Sequence, residues 1–234
     1  MIKVCGMRDA ENIRQVEALG VDMMGFIFWP QSSRYVSECP SYLPVHAKRV
    51  GVFVDEDPER ICRIADEYQL DYIQLHGHES PETVSHLSSL HASLFTLHSS
   101  KLLPLVRGGG PLAVEECVSS PRGGLLIKAF NIATAEDFCQ TKPYEGIVDY
   151  FLFDTKGKSV GGNGEKFDWN VLDAYSGNTP FLLSGGIGPD DAECLKAFHH
   201  PRFVGIDLNS RFETKLGYKD IQKLKEFIKH YDNK

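Results

Sequence analysis

Eight short runs rich in β-branched and aromatic residues, each followed by a polar or amphipathic stretch, most tightly constrain what this chain can fold into. They are Ile2–Cys5, Met23–Phe28, Arg49–Val54, Tyr72–His76, Leu125–Ala129, Tyr150–Asp154, Phe181–Ser184 and Phe203–Asp207. Strands that alternate with helical patterns form βαβ units around a parallel sheet. Several runs are apolar nearly throughout, as strands must be when helices cover one face and packed barrel layers the other. Eight such units in 234 residues fit one α/β domain of the (β/α)8 TIM barrel class, typically about 250 residues long.

The intervening stretches predict helices at Ala10–Leu19, Pro58–Tyr68, Pro81–Leu90, Thr134–Cys139, Trp169–Tyr175, Asp190–Phe198 and Lys219–Tyr231. Asp9, Asp57, Ser80 and Asp168 stand where a side-chain oxygen can cap a helix, and Pro58, Pro81 and Pro189 suit a first turn that needs no amide hydrogen. Ser37–Lys48 carries Pro40 and Pro44, which predicts a short or irregular helix there. The stretch from about His91 to Gly124 is far longer than an ordinary connection and reads as an insertion between the fourth helix and the fifth strand. Within it, Arg107-Gly108-Gly109-Gly110-Pro111 is a turn or link, and Leu94–Leu97 is either an extra strand or a rival for the fifth barrel place. The chain otherwise reads as one domain over residues 1–234.

With 42% hydrophobic and 24% charged residues, and no apolar run of the roughly 18 residues a span requires, the composition predicts a soluble protein with no membrane partner. The first residues enter strand-like sequence without a leader pattern, which points to the cytoplasm. A net charge of −7 without clustered Lys and Arg argues against a nucleic-acid partner. The six cysteines are scattered without C-x-x-C or zinc spacing, so neither a disulfide framework nor a metal site is expected. With no G-x-G-x-x-G run after the first strand, no cofactor is expected either.

In such barrels reactive groups gather at the carboxyl ends of the strands. Those ends carry Cys5-Gly6, His76-Gly77, Lys128, Asp154-Thr155, Ser184-Gly185-Gly186 and Asp207-Leu208-Asn209-Ser210. The Ser184–Pro189 run leaves a strand and opens a helix, which suits a phosphate through bare glycine amides, although a plain tight turn has the same look. Asn209 and Ser210 follow the eighth strand, the second loop of a common barrel phosphate site. Cys5 is either an inert buried thiol or a base tuned by nearby positive charge such as Lys3 or Arg8. Asp154 ends the apolar run Tyr150–Phe153, where desolvation favours a protonated carboxyl, and a loop-capping role is the alternative. Arg34 offers a planar fork for a carboxylate or is a solvated surface charge; Gln74 and His76 share one strand face, as ligand contacts or as satisfied core groups. The glycine-rich stretch Lys156–Lys166 is long enough for a lid, or is an ordinary surface loop.

Read in order, Lys3-Val4-Cys5-Gly6-Met7, Ser33-Arg34-Tyr35, Gln74-Leu75-His76-Gly77, Ile127-Lys128-Ala129-Phe130, Phe153-Asp154-Thr155, Gly161-Gly162-Asn163-Gly164 with Phe167-Asp168-Trp169, Ser184-Gly185-Gly186-Ile187 and Gly205-Ile206-Asp207 resemble the phosphoribosylanthranilate isomerase family of tryptophan biosynthesis. The resemblance covers nearly the whole chain outside the insertion and implies an Amadori rearrangement of a phosphorylated sugar-anthranilate substrate. It implies Cys5 as general base at ribose C2 and Asp154 as general acid at the furanose ring oxygen. Gly185, Gly186, Asn209 and Ser210 then fall in phosphate-gripping loops, and Arg34 falls at the anthranilate carboxylate. Gln74, His76, Lys128 and Asp207 join them as substrate-binding candidates. Asn163 stands where the family commonly has threonine, and Asn209-Ser210-Arg211-Phe212 replaces Ser-Ser-Gly-Val, with Arg211 an added cation for phosphate. A related barrel that rearranges a histidine precursor would call for two carboxylates, against which Cys5 speaks. A binding or scaffolding barrel would leave Cys5 and Asp154 without a task.

Overall fold

The computed structural model describes residues 1–90, 125–155 and 169–232. Eight parallel strands close a barrel in chain order: β1 (Ile2–Cys5), β2 (Met23–Ile27), β3 (Lys48–Phe53), β4 (Tyr72–Leu75), β5 (Leu125–Ile132), β6 (Tyr150–Thr155), β7 (Phe181–Ser184) and β8 (Phe203–Leu208). Closure comes from β1 against β8, with Lys3 opposite Asp207. The strand β4 pairs directly with β5, from Tyr72 opposite Leu125 to Leu75 opposite Lys128, so the eight places are filled without Leu94–Leu97. That stretch, with the rest of 91–124 and the lid candidate 156–166, lies outside the described residues.

The run Tyr150-Phe151-Leu152-Phe153 shows why the strands are apolar on both faces. Tyr150 and Leu152 pack inward with Met23, Val50, Tyr72, Ile127 and Leu182. Phe151 and Phe153 point outward to the helical layer, where Phe153 lies 5.1 Å from the ring of Tyr175 and 4.8 Å from that of Phe181. Each fully buried aromatic contributes about 1.5–3 kcal/mol by leaving water. Parity along a strand then decides which polar side chain reaches the lumen.

Helix α1 (Ala10–Glu17) starts where Asp9 accepts from the Asn12 amide, and α2 (Pro58–Tyr68) where Asp57 accepts from Arg60 with Pro58 in the first turn. Helix α3 covers 81–90. Between β2 and β3 there is no helix at all. Pro40 and Pro44 remove amide donors, and the Glu17 carboxylate instead gathers the amides of Val45, His46 and Ala47 at 2.7, 2.6 and 3.1 Å, together with the Tyr42 hydroxyl. The stretch after β5 is a 3-10 helix over Ala135–Tyr144 with Pro143 inside it, and after β6 another spans Trp169–Ala174. Pro189–Asp191 forms a single 3-10 turn before α4 (Ala192–Ala197).

The end of the chain departs most from expectation. After β8 come a 3-10 turn, Ser210–Phe212, and a small hairpin of β9 (Glu213–Lys215) and β10 (Tyr218–Lys219). Lys219 therefore belongs to a strand rather than to the last helix. The Asp220 carboxylate caps the amide of Lys223, and α5 runs over Ile221–Asp232.

Candidate active site

The carboxyl ends of the strands form a bowl, and strand parity sends a defined set of groups into it. On β1, Lys3 and Cys5 alternate with Ile2 and Val4, which face the helices. On β6 Asp154 continues the inward row of Tyr150 and Leu152. Cys5 and Asp154 thus share one end and one face of the barrel. Gly25 stands opposite Cys5 on β2, and a Cβ built there would lie 2.7 Å from the Cys5 sulfur, so the thiol occupies space that only glycine leaves open.

Lys3 is fully buried and pairs with Asp207 at 2.9 Å, and Asp207 also accepts from Ser184 Oγ at 3.2 Å. Burial by itself would lower the Lys3 ammonium, but Asp207 and Cys5 hold it above its ordinary value. For Cys5 burial raises the thiol, Lys3 pulls it back, Asp207 raises it further and Lys219 opposes, with a net upward result. A thiol is the resting form. His76, just past β4 and on the same side as Gln74, has Nε2 3.7 Å from Asp154 Oδ2. Burial lowers the imidazole more than Asp154 raises it, so the ring stays neutral at neutral pH. Gln74 lies deeper in the lumen, 1% exposed, and its Oε1 has no hydrogen-bond partner among the described residues.

The rim above β7 and β8 carries the glycine-rich turn and the residues that follow the last barrel strand. Gly185 and Gly186 take φ of +97° and +67°, a backbone conformation that residues with side chains rarely adopt. The Gly186 and Ile187 amides have no acceptor among the described residues. Gly188 is tied to Asp191 Oδ2 at 2.8 Å, and the stem of Arg211 lies beside it, about 4.0 Å from where its Cβ would be. Ser210 is exposed on the same rim, whereas Asn209 is engaged, its Oδ1 accepting from Lys219 Nζ at 2.8 Å.

Two of the sequence candidates sit differently from expectation. Arg34 is neither solvated nor free: its Nε and Nη2 donate to Glu213 Oε1 and Oε2 at 2.8 and 2.7 Å. Lys128 lies on the outward face of β5, where its Nζ donates to the Gly77 carbonyl at 2.9 Å and pairs with Glu79 at 3.2 Å under the rings of Phe130 and Tyr144. It is not brought to the bowl. In the run Leu125–Ile132, Ile127 and Ala129 point inward, and the intervening residue must face out. Glu213 and Lys219 escaped the sequence reading because their partners are remote: Arg34 precedes Glu213 by 179 positions. The one local signal was a pair of charges flanking Gly217 just before the last helix. Among the described residues no group of three His, Cys, Asp or Glu is arranged to hold a metal ion.

A sequence model of the N-(5'phosphoribosyl)anthranilate (PRA) isomerase family matches residues 2–98 and 121–230, passing over 99–120 inside the stretch read as an insertion. The chain is 47% identical to the N-(5'-phosphoribosyl)anthranilate isomerase of Parabacteroides distasonis, over 97% of this chain and 91% of that protein. It is 44% identical to the one from Phocaeicola vulgatus, over 100% and 98%. Among solved structures, phosphoribosyl anthranilate isomerase from Thermotoga maritima superposes with a TM-score of 0.72 at 28% identity, covering 100% of this chain and 98% of that one. Another, solved with reduced 1-(o-carboxyphenylamino)-1-deoxyribulose 5-phosphate, gives 0.71 at 26% identity with the same coverage. With this sequence likeness over both parts of the barrel, and the strand ends in the predicted places, the chain belongs to the phosphoribosylanthranilate isomerase family.

Proposed function

We propose that Cys5 and Asp154 carry out an Amadori rearrangement in tryptophan biosynthesis, converting N-(5'-phosphoribosyl)anthranilate into 1-(2-carboxyphenylamino)-1-deoxyribulose 5-phosphate. The observation that carries the reading is that a thiol on β1 and a carboxyl on β6 enter one bowl from different sides, under a glycine-rich rim. The ligand of the solved relative has the same chemical parts: a ring carboxylate, a sugar chain and a phosphate.

Asp154 gives its proton to the furanose ring oxygen while the nitrogen lone pair forms a C1'=N bond and the C1'–O bond breaks. The Cys5 thiolate then takes the C2' proton. The electrons of that C–H bond form C1'=C2', the C=N pair returns to nitrogen, and the enol so formed ketonises. Each proton transfer accounts for about 10²–10⁴-fold of the rate. Lys3 and Lys219 supply the positive charge that makes a thiolate tolerable at a buried sulfur. Neutral His76, beside Asp154, is placed to hydrogen-bond a sugar hydroxyl, and Gln74 and Asp207 line the floor below. The phosphate goes to the amides of Gly185 and Gly186 with Asn209 and Ser210, where Arg211 adds a cation, and the ring carboxylate goes to Arg34. Lys128 has no part in this chemistry; its ion pair with Glu79 secures the loop after β4.

A cytoplasmic location belongs to the same proposal, supported by five described cysteines that are all unbridged, the state a reducing compartment maintains. No helix among the described residues is long and apolar enough to cross a membrane.

The test is turnover of phosphoribosylanthranilate followed by its fluorescence. Cys5→Ser and Asp154→Asn are expected to lower kcat by at least about 10²-fold while binding of the reduced product analogue changes little. Near-wild-type turnover in both variants would remove these roles.

A further inference from the structure

A guanidinium has two edges that can each grip a carboxylate: the side edge, Nε with one Nη, and the end edge, Nη1 with Nη2. Glu213 takes the side edge of Arg34 with both oxygens, at 2.8 and 2.7 Å. The end edge has no acceptor among the described residues, and Arg34 keeps 18% of its side chain exposed.

Glu213 is itself held rigidly. Its Oε1 accepts from Lys219 Nζ at 2.8 Å and from the Gly217 amide at 3.3 Å. Lys219 is fixed at both ends. Buried Asn12 clasps its backbone, donating to the carbonyl at 2.9 Å and accepting from the amide at 2.7 Å, while its ammonium also reaches Asn209 Oδ1. Arg8 joins the Ser33 carbonyl to that of Leu216, strapping the loop of Arg34 to the hairpin of Glu213. A ligand could hardly ask for a more constrained guanidinium.

The charge count points the same way. Arg34 and Lys219 are two cations around one carboxylate, and the hydrogen bonds from both outweigh burial and keep Glu213 ionised. One positive charge remains, at a site whose side chains are mostly out of water, where a lone charge is costly. It sits at the mouth of the bowl: a Cβ at Gly6, next to Cys5, would lie 2.7 Å from Arg34 Cδ, 2.9 Å from Asn209 Oδ1 and 3.5 Å from Lys219 Nζ.

We propose that Glu213, backed by Lys219, is a positioning residue that grips the side edge of Arg34 and aims its end edge at the benzoate carboxylate of the substrate, whose charge completes the cluster. The proposal rests on the function assigned above. It separates sharply from bare electrostatics: removing the Glu213 charge would make the cluster more cationic and tighten an anion, whereas loss of aim weakens it.

The probes are the reduced product analogue and the same compound lacking the ring carboxylate, titrated calorimetrically against the full chain. Glu213→Gln, which loses an acceptor, and Glu213→Asp, which keeps the charge but shortens the reach, are each expected to weaken the carboxylate compound about tenfold. Neither should change binding of the carboxylate-free one. KM for substrate should rise about tenfold with kcat within about twofold, and in an Arg34→Met background Glu213→Gln should have no further effect. Unchanged or tighter binding in both variants overturns the proposal, and so does an equal loss on the two compounds, which would mark a merely structural role. Should Glu213→Gln fail to fold, Glu213→Asp decides alone, and Arg34→Lys, which keeps charge but loses the fork, is the third arm with the same expected loss. A wild-type chain that ignores the analogue would instead overturn the assigned function, leaving no ambiguity over which statement failed.

Discussion

Cys5 lies where burial and charge compete, and the competition sets the pH at which it can act. Burial raises the thiol, Lys3 and Lys219 lower it, Asp207 raises it, and Arg34 faces the same sulfur across Gly6. Lys3 is the nearest counterweight, because β1 puts it two residues away on the same face while β8 locks its charge against Asp207. Replacing it by Met should therefore move the Cys5 ionisation to higher pH, shifting the acid limb of kcat/KM upward and cutting activity at neutral pH by about tenfold. Thiolate absorbance, with Cys5→Ser as the blank, reads the shift directly, and an unmoved limb would show that Lys3 merely fills space. The places of Cys5 and Asp154 in the bowl were legible in the sequence because each lies at the carboxyl end of a strand, although local pattern alone left an inert thiol and a loop cap as alternatives. Glu213 and Lys219 were not, since a charge has no periodicity and its meaning comes from a partner across the barrel. Lys128 shows the converse: it matches a family motif, yet it lies inside β5, where parity turns it outward to Glu79.

At the scale of elements, pairing register does work that composition cannot reveal. Cys5 opposite Gly25 is a consequence of how β1 and β2 align, and the missing side chain at 25 is what seats the sulfur. Gly25→Ala should push Cys5 off its position, lowering kcat by about tenfold or more while overpacking costs about 1–3 kcal/mol of stability, read by urea melts and turnover together. A variant that folds and turns over normally would mean that the register is looser than it looks. All eight strands were legible because buried strands in a closed barrel are apolar on both faces. Helical connections were most legible where amphipathic period and capping agreed, as at Asp9 and Asp57. They were lost where proline or a short span favoured tighter turns, as with Pro143 in Ala135–Tyr144, or where Glu17 offered backbone amides a better partner than a helix would.

For the molecule as a whole, the closed barrel distributes its electrostatic stabilisation among carboxylates that hold loops in place, so the fold should be acid-sensitive in a defined sense. Backbone amides lower Asp55 and Asp137 below their ordinary 3.8, and hydrogen bonds overcome burial to lower Glu17 and Glu213 below 4.5. Groups depressed on folding contribute stability that is present above the unfolded values and lost as pH falls through the folded ones. His76 acts in the same direction at higher pH: its folded value lies below 6.5, so protonation of the unfolded chain begins to erode stability from about that point. The urea midpoint should accordingly decline gently below about pH 6.5 and steeply below about pH 4.5. Glu17 isolates one contribution, since its carboxylate collects three amides of the connection that replaces a helix and touches nothing in the bowl. Glu17→Gln should cost about 1 kcal/mol at pH 7, after allowance for solvent screening at a half-exposed site, with kcat unchanged. That gap from the parent chain should narrow as pH falls below 4.5 and on through the lower native value, where the native carboxylate takes up its proton as well; a gap that stays constant with pH would mean that the shape of the side chain, not its charge, holds Val45–Ala47.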